Sequence, residues 1–182
     1  MISRTPLVLP ALFLAFLTCS TVNAQRDHLT PQEVDLVKEA QILDKRIEVF
    51  VKAADRRLMV LTGTQSANAK QLKKDSELWG ELPTGSHADL LGDIAGILDE
   101  AITNIDDVSA RDERNPLLPK ALRRLGEAVN NIMTQVAPFR DQAKSDGEVA
   151  SLESLNEEAQ QILEAVKKLP PPEPEKKAKK KN

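Results

Sequence analysis

The sequence predicts an all-α protein, an antiparallel helical bundle of about four amphipathic helices. Apolar residues recur at alternating steps of three and four through four long segments, which is the period of a helix with one buried face. No stretch alternates apolar and polar residues with a period of two, so no sheet is predicted. The stripes suit a coiled-coil-like core, formed either within one chain or against a second copy.

The first 24 residues have the layout of a secretory signal peptide. Arg4 precedes an apolar run over residues 7–17, and Val22-Asn23-Ala24 supplies the small residues of a cleavage site. The run is too short to span a bilayer, which needs about 20 residues. We therefore expect residues 25–182 to form an exported chain, periplasmic or extracellular, with no transmembrane segment. A retained interfacial anchor is the alternative.

The single cysteine, Cys19, lies inside this segment. Its neighbours Leu17 and Thr18 fit a lipoprotein signal poorly, so acylation of Cys19 is the less favoured alternative. Cleavage after Ala24 leaves a mature chain without cysteine, and therefore without a disulfide, a thiol nucleophile or a thiolate metal ligand. The mature length fits one domain.

The first predicted helix begins at Thr30-Pro31 and continues to Gly63. Thr30 is suited to capping, Pro31 to the first helical position, and Glu33 completes a capping box. The apolar stripe then runs without interruption through positions 36, 40, 43, 47, 50, 54, 58 and 61. One long helix is expected, followed by a connection over residues 63–86 that contains a short helix around residues 71–79.

The second helix is expected to start at Ser86, with Asp89 completing its capping signal. Its stripe occupies positions 91, 94, 98, 101, 105 and 108. Ala88, Gly92 and Gly96 also follow one another at steps of four, although glycine inside a helix costs about 1 kcal/mol relative to alanine. A close crossing with another helix would offset that cost.

Two more helices are expected beyond a turn near Pro116. The third has its stripe at positions 118, 122, 125, 129, 132, 136, 139 and 143, and Pro138 should kink it or end it early. The fourth follows Gly147, has its stripe at positions 149, 152, 155, 159, 162, 166 and 169, and ends at Pro170.

No catalytic, cofactor-binding or metal-binding residue is predicted, and the chain is not expected to be an enzyme. Neither His28 nor His87 follows a glutamate by three residues, as a carboxylate-bridged dimetal bundle requires. Ser86 adjoins His87 but fits a helix cap better than a nucleophile. Neighbouring carboxylates on one helix point about 100° apart, which suits a solvated face; such pairs are Asp106-Asp107 and Glu157-Glu158.

Charges form stripes that could join the helices. Lys45, Lys52 and Arg56 share a face of the first helix, and Asp89, Asp93, Glu100 and Asp107 lie close to one face of the second. If these helices are antiparallel neighbours, the stripes are expected to meet as ion pairs that set register, or to leave a basic groove for an anionic ligand. A second basic patch comprises Arg111, Arg114, Lys120, Arg123 and Arg124.

Two stretches carry a resemblance: DKRIEVFVKAADRRL at 44–58, and WGELPTG at 79–85 running into ITNIDD at 102–107. They resemble a family of uncharacterised, exported, all-helical bacterial proteins over about residues 30–165. The resemblance implies a bacterial envelope location and a helical fold. It implies no activity and no site residues.

Residues 170–182 differ in charge and composition from the predicted helical domain, 25–169. The tail has five lysines and two glutamates, whereas the domain has 19 basic and 26 acidic residues. Its prolines and its lack of apolar residues predict disorder. We expect either a solubilising tail attracted weakly to its own acidic domain, or weak, salt-sensitive contact with an anionic envelope surface.

These observations favour a non-enzymatic protein that binds an unknown protein partner or self-associates at the cell envelope. The alternative is a periplasmic ligand- or metal-binding bundle. Nucleic acid is not an expected partner, because the domain is acidic and only three aromatic residues lie beyond the signal peptide to stack on bases: Phe50, Trp79 and Phe139.

Overall fold

The computed structural model describes residues 27–171, and all the regular secondary structure in that part of the chain is helical, which confirms the all-α class. The predicted signal peptide and residues 172–182 lie outside the described residues. The helices are α1 Pro31–Glu39, α2 Leu43–Leu61, a short 3-10 helix Gln65–Asn68, α3 Ala69–Trp79, α4 His87–Arg111, α5 Leu118–Arg140 and α6 Asp146–Lys167.

Four long helices, α2, α4, α5 and α6, pack around one apolar core. Each contacts two neighbours in the cyclic order α2, α4, α6, α5, so α2 and α5 form one half of the bundle and α4 and α6 form the other. The α4–α5 connection therefore crosses the bundle diagonally. Among the helices of residues 27–171, none has both the length and the apolar character needed to cross a membrane.

Contacts at the helix ends give the directions. The Ser151 hydroxyl near the start of α6 donates to the Ala88 carbonyl at the start of α4 at 2.9 Å, so these two helices are parallel. Lys120 and Asp44 likewise join the starts of α5 and α2. The bundle is consequently antiparallel between its halves and parallel within each half, whereas the sequence predicted only an antiparallel arrangement.

The prediction of one long first helix is wrong, because the chain breaks between α1 and α2. Ile42 adopts an extended conformation with ψ 128°, and α1 turns back against α2. A straight helix would separate residues 33 and 57 by about 36 Å, at about 1.5 Å per residue. In the folded chain the Glu33 carboxylate instead contacts Arg57 at 2.7 Å, so a long-range ion pair accompanies the break.

The other predicted helix signals hold. Thr30 and Ser86 cap α1 and α4 with complete capping boxes, and Ser145 does the same for α6. The short helix in the first connection exists as α3, and Gly63 follows α2 with a positive φ of 68°. α5 ends at Arg140, two residues beyond Pro138.

The small residues of α4 have two different neighbours. A Cβ on Gly92 would lie 3.4 Å from the Ser151 hydroxyl of α6, and a Cβ on Gly96 would lie 3.0 Å from the His28 ring. The predicted close helix crossing is therefore correct for Ala88 and Gly92, whereas Gly96 makes room for the segment that precedes α1.

Candidate functional site

A buried charge cluster joins α1, α2 and α4; we use this name for Glu33, Arg56, Arg57 and Asp93. All four residues are at most 6% exposed. Both terminal nitrogens of Arg57 contact the Glu33 carboxylate, at 2.7 and 2.8 Å, and Arg56 Nε lies 3.3 Å from the same carboxylate. Asp93 Oδ2 lies 3.7 Å from Arg57 Nε. Two cations thus face two anions.

The two arginines of the cluster also bind backbone carbonyls. Arg56 donates to three consecutive carbonyls of the α3–α4 connection: Trp79 at 3.1 Å, Gly80 at 3.2 Å and Glu81 at 2.6 Å. Arg57 donates to the His28 carbonyl at 2.6 Å. The cluster therefore holds the segment before α1 and the α3–α4 connection against α2.

The electrostatics of the cluster depend on mutual pairing. Burial lowers the pKa of Arg56, and the adjacent Glu33 carboxylate opposes that shift. Because charges taken out of water are costly unless paired, removing one member of such a cluster destabilises the fold strongly. Since each charge has a partner within the cluster, its evident role is architectural.

The sequence did not identify this cluster, although two of its parts stood in the stretches that carry the family resemblance. Arg56 and Arg57 belong to the first stretch, and Trp79, Gly80 and Glu81 to the second. Their contact is a structural fact that one sequence does not reveal, because the partners lie more than 20 residues apart.

The charge stripes of α2 and α4 do not meet as predicted, and the contact that Asp93 makes with α2 is to Arg57, which lies outside the predicted stripe. Lys45 pairs with Glu48 on its own helix, and Lys52 pairs with Asp75 of α3 at 2.7 Å. On α4, Asp89 caps the helix, Glu100 binds His28 at 2.8 Å, and Asp107 pairs with Arg111. Lys52 and Arg56 of the α2 stripe thus pair with α3 and α1, two segments that the prediction did not consider.

A cleft of about 530 Å³ lies over the cluster, with Arg57 and Asp93 in its wall. Its other lining residues come from two segments, residues 27–32 and 81–84. Arg57 and Asp93 give this cleft both charge signs. Its arginine, however, is already occupied by Glu33 and by backbone carbonyls.

The surface charge of the bundle is divided between its halves. Apart from the buried Asp93, α4 carries five acidic residues and one basic residue, and α6 carries six acidic residues and one basic residue. Apart from the buried Arg56, Arg57 and Asp44, α2 and α5 together carry seven basic and three acidic residues. Because α4 adjoins α6 and α2 adjoins α5, one side of the protein is strongly acidic and the opposite side is basic.

We define the acidic face as the α4–α6 surface that carries Asp99, Asp106, Glu157, Glu158 and Glu164. Within the part of the chain that the structure describes, no cation lies within ion-pair distance of any of these five carboxylates. By helical periodicity, Asp99 and Asp106 fall on the same edge of α4 as Ala88 and Gly92, which contact α6. Asp99, Asp106 and Glu158 therefore lie along the seam between the two helices, and Glu157 and Glu164 lie on the outer side of α6.

Glu158 gives the clearest sign of uncompensated charge on this face. Burial is the main cause that raises the pKa of Glu158, and the nearby carboxylates of Asp99 and Glu157 raise it further. Its Oε2 is buried and has no hydrogen-bond partner among the described residues. Three carboxylates from α4 and α6 thus lie close enough to repel one another, an arrangement that a bound cation would relieve.

The second basic patch predicted from the sequence is dispersed into pairs. Lys120 and Arg124 both contact Asp44, at 2.9 and 3.4 Å, and Arg124 also reaches Glu48. Arg123 donates to the carbonyl of Pro170 beyond the end of α6. Arg111 pairs within α4. No single anion site forms from this patch in the described residues.

The remaining candidates occupy structural positions. Ser86 is a helix cap bonded to Asp89, as predicted, rather than a nucleophile beside His87. The His87 ring packs edge-on against Phe139, with centroids 5.5 Å apart, and its Nδ1 lies 3.7 Å from Glu148. Among residues 27–171, no three metal-binding side chains converge on one point.

Comparison with protein-family models, with curated proteins and with solved structures gives no match for this chain. The candidate sites therefore rest on the geometry described above.

Proposed function

We propose that this protein is an exported, non-enzymatic helical protein that binds a partner protein, or a further copy of itself, at the cell envelope, and that the acidic face is its binding surface. The observation that supports this proposal is the division of charge between the two halves of the bundle. The charges of the buried charge cluster are paired with one another, whereas the carboxylates of the acidic face are concentrated without cations among the described residues.

The chemistry of the acidic face selects a cationic partner. Opposite charges across an interface steer encounter and suppress wrong partners, and the effect grows when like charges line one groove. Lysine- or arginine-rich protein segments match such a face. The basic half of a second copy is another match, which is how self-association would arise.

An oligolysine peptide tests this proposal as a generic cationic probe. We expect it to bind the chain of residues 25–182 at about 20 mM salt and to be released at about 200 mM, because screening weakens exposed charge pairs. In a face variant, four acidic-face residues are neutralised: Asp99→Asn, Asp106→Asn, Glu157→Gln and Glu158→Gln. Its affinity should fall about tenfold or more.

The matched control variant loses the same number of charges elsewhere. It carries changes at exposed carboxylates of α1, α3 and α5: Asp35→Asn, Glu39→Gln, Glu77→Gln and Glu127→Gln. It should bind oligolysine nearly as well as the unmodified chain. Equal losses in the two variants would show that only net charge matters, and the acidic face would not be a site.

A ligand-binding bundle is the second candidate function, and the cleft over the buried charge cluster is the observation that favours it. Its mixture of Asp93, Thr84 and Arg57 suits a small polar molecule more than an apolar one. Any molecule that binds only the folded state raises the melting temperature. A melting-temperature shift with an amino acid or a divalent cation, lost on Thr84→Val in the cleft wall, would favour this function.

The proposed location rests on the signal-peptide layout and on the family resemblance of the sequence. Fractionation of cells that express the full chain, with mass measurement of the exported product, tests both. A product that begins at Gln25 in the periplasm or the medium is expected. A full-length product in the cytosol would contradict export.

A further inference from the structure

We propose that α1 exchanges between two copies of this chain. In the exchanged state α1 and α2 join into one straight helix, and the α1 of each copy takes the place of the other copy's α1. The partner is therefore a second copy, whose Glu33 completes the buried charge cluster. The acidic face takes no part, so this inference goes beyond the proposed function and can fail without affecting it.

The connection between α1 and α2 has the sequence of a helix rather than that of a turn. Residues 40–42 read Ala-Gln-Ile, without the glycine, proline, asparagine, aspartate or serine that usually marks a turn. Alanine and glutamine are good helix formers, and the apolar stripe keeps its spacing across the connection. By contrast, the connections after α2 and α3 contain Gly63 and Gly80 at positive φ. The local sequence therefore favours one continuous helix over residues 31–61.

The start of α2 is poorly satisfied in the single chain. Its N-cap, Ile42, makes no side-chain capping hydrogen bond, whereas α1, α4 and α6 begin with complete capping boxes. The Ile42 side chain is 57% exposed, although it is apolar. A helix N-terminus leaves its first N–H groups without carbonyl partners in the helix. Joining α1 to α2 pairs those groups with carbonyls of α1, so each straightened connection gains backbone hydrogen bonds.

The contacts that hold α1 in place lie far from this connection. Glu33 contacts Arg57 at 2.7 Å, and the carbonyl of His28, just before α1, accepts a hydrogen bond from Arg57 at 2.6 Å. Both contacts need α1 to lie against α2, but neither depends on the two helices belonging to the same chain. The α1 of a second copy makes them equally well, which is the condition for exchange of a segment between copies.

The register of α1 on α2 allows two straight helices to pair. α1 turns back along α2, and the contacts of Glu33 with Arg57 and of Ala40 with Arg46 are both centred near residue 44. Two helices of residues 31–61 that align antiparallel about residue 44 place Glu33 of each copy opposite Arg57 of the other. This arrangement has two-fold symmetry and closes after two copies. Each bundle lies at its own end of the helix pair, because the straightened α1 points away from its own bundle.

Two substitutions of the exposed Ile42 test the exchange in the chain that begins at Gln25. Ile42 has φ −91° and ψ 128° in the single chain, which is close to a proline conformation. Inside a continuous helix, however, proline removes a hydrogen bond and clashes with the preceding turn. Ile42→Pro should therefore lower the dimerisation constant about a hundredfold or more. Ile42→Ala removes the same apolar side chain but favours the helix, and should raise the constant about threefold.

Sedimentation measures the mass of each variant after refolding from urea at about 10 µM and about 1 mM chain, because dimers increase with concentration by mass action. The unmodified chain should dimerise at the higher concentration. The Ile42→Pro chain should remain monomeric at both, with an unchanged helical circular dichroism spectrum, since its α1 stays on its own α2. The face variant should dimerise as the unmodified chain does, because the acidic face is not involved.

A single spin label identifies the exchanged arrangement. Asp35→Cys gives the chain of residues 25–182 one cysteine, at an exposed position of α1. One label gives no distance in a monomer. In the exchanged dimer the two labelled positions should lie about 28 Å apart, at about 1.5 Å per residue from residue 44 and about 9 Å between the helices. Pulsed electron paramagnetic resonance measures this separation.

The outcomes are distinct. A dimer that shows the expected separation and is abolished by Ile42→Pro supports the exchange. A dimer that lacks this separation, or that Ile42→Pro leaves unchanged, overturns the exchange and places the second copy on another surface. Unmodified and Ile42→Ala chains that stay monomeric at about 1 mM overturn it as well. In every case, the oligolysine affinities of the face variant and its control still decide the proposed function.

Discussion

The buried charge cluster and the acidic face hold charged residues in opposite circumstances. In the cluster, Glu33 accepts hydrogen bonds from Arg57 and from the Thr30 backbone, and Arg56 Nε lies 3.3 Å from its carboxylate. On the acidic face, carboxylates of α4 and α6 stand together, and Glu158 has a buried oxygen without a donor among the described residues. The first arrangement pairs opposite charges within the protein, although Arg56 Nε and Arg57 Nε have no hydrogen-bond acceptor among the described residues. The second arrangement leaves negative charge to be matched from outside.

This difference separates architecture from binding. Buried charges need partners at fixed geometry, so the cluster fixes where α1 and the α3–α4 connection lie against α2. Exposed like charges contribute nothing to folding and slightly oppose it, so their concentration on one half of the bundle calls for another explanation. Binding of a cationic segment provides one.

The largest expected effect comes from breaking the cluster. Glu33→Gln leaves two buried arginines without their shared carboxylate, and such a loss typically costs about 3–5 kcal/mol. Urea unfolding followed by circular dichroism measures it. Glu39→Gln, at the exposed end of the same helix, is the control and should change stability little. A cost below about 1 kcal/mol for Glu33→Gln would mean that the cluster does not hold the fold together.

The packing of α6 against α5 and its packing against α4 differ in how closely the helices approach. A Cβ on Gly126 of α5 would lie 2.7 Å from Val166 Cγ2, whereas one on Gly92 of α4 would meet Ser151 at an ordinary 3.4 Å. Gly126→Ala should therefore cost about 1–3 kcal/mol, and Gly92→Ala should be neutral or gain up to about 1 kcal/mol from helix propensity.

A double variant shows whether the Gly126 cost is steric. Val166→Ala removes the clashing methyl groups, so adding it to Gly126→Ala should recover part of the lost stability when measured by the same urea unfolding. Equal costs for the two glycine substitutions would contradict the tighter packing of α5 against α6.

On the acidic face, we expect a substitution to change the folding stability by a smaller amount and in the opposite direction. Burial and the carboxylates of Asp99 and Glu157 raise the pKa of Glu158, so the folded state holds that proton more tightly than the unfolded state does. The resulting stabilisation is present at acid pH and is lost as the pH rises through the raised pKa. Glu158→Gln should therefore stabilise the protein at neutral pH and have little effect near pH 3.

Thermal melts across that pH range measure the change, and Glu164→Gln is the control on the same helix. A destabilised Glu158→Gln protein at pH 7 would indicate that the carboxylate has a favourable partner, and the acidic face would then not be uncompensated.

The smallest change in stability is expected when an ion pair at the surface of the basic half is removed. The hydrogen bond from Lys120 is the main cause that lowers the pKa of Asp44, so this carboxylate stabilises the fold above its unfolded pKa and loses that effect as the pH falls through its folded value. Lys120→Met should raise the pKa of Asp44, which a carboxyl NMR titration detects. The loss of stability should stay below about 1 kcal/mol, because Lys120 is 62% exposed. No change in the Asp44 titration would contradict this pairing.

Much of the fold could be predicted because it depends on local pattern. The caps at Thr30 and Ser86, the short helix before Trp79 and the apolar stripes are all set by residues a few positions apart. The break at Ile42 could not be predicted, since the stripe passes through it unchanged and its counterpart, the contact of Glu33 with Arg57, spans 24 residues. Long-range ion pairing overrode a continuous local signal.

The candidate sites show the same limit. The sequence shows that α4 and α6 are each acidic. It does not show that they form one acidic surface, because that depends on the two helices being neighbours in the fold. The charge stripes predict ion pairs between α2 and α4, whereas Arg56 and Lys52 of α2 pair with α1 and α3. Paired and unpaired charge become distinguishable only when the contacts are known.

The most direct test of the account measures two properties of two variants. Unfolding free energy and oligolysine affinity are compared for Glu33→Gln and for the face variant, at a temperature where both are folded. Glu33→Gln should lose stability while its affinity is unchanged, and the face variant should lose affinity without losing stability. If the face variant is as destabilised as Glu33→Gln, or binds oligolysine as well as the unmodified chain, the acidic face is not a binding surface.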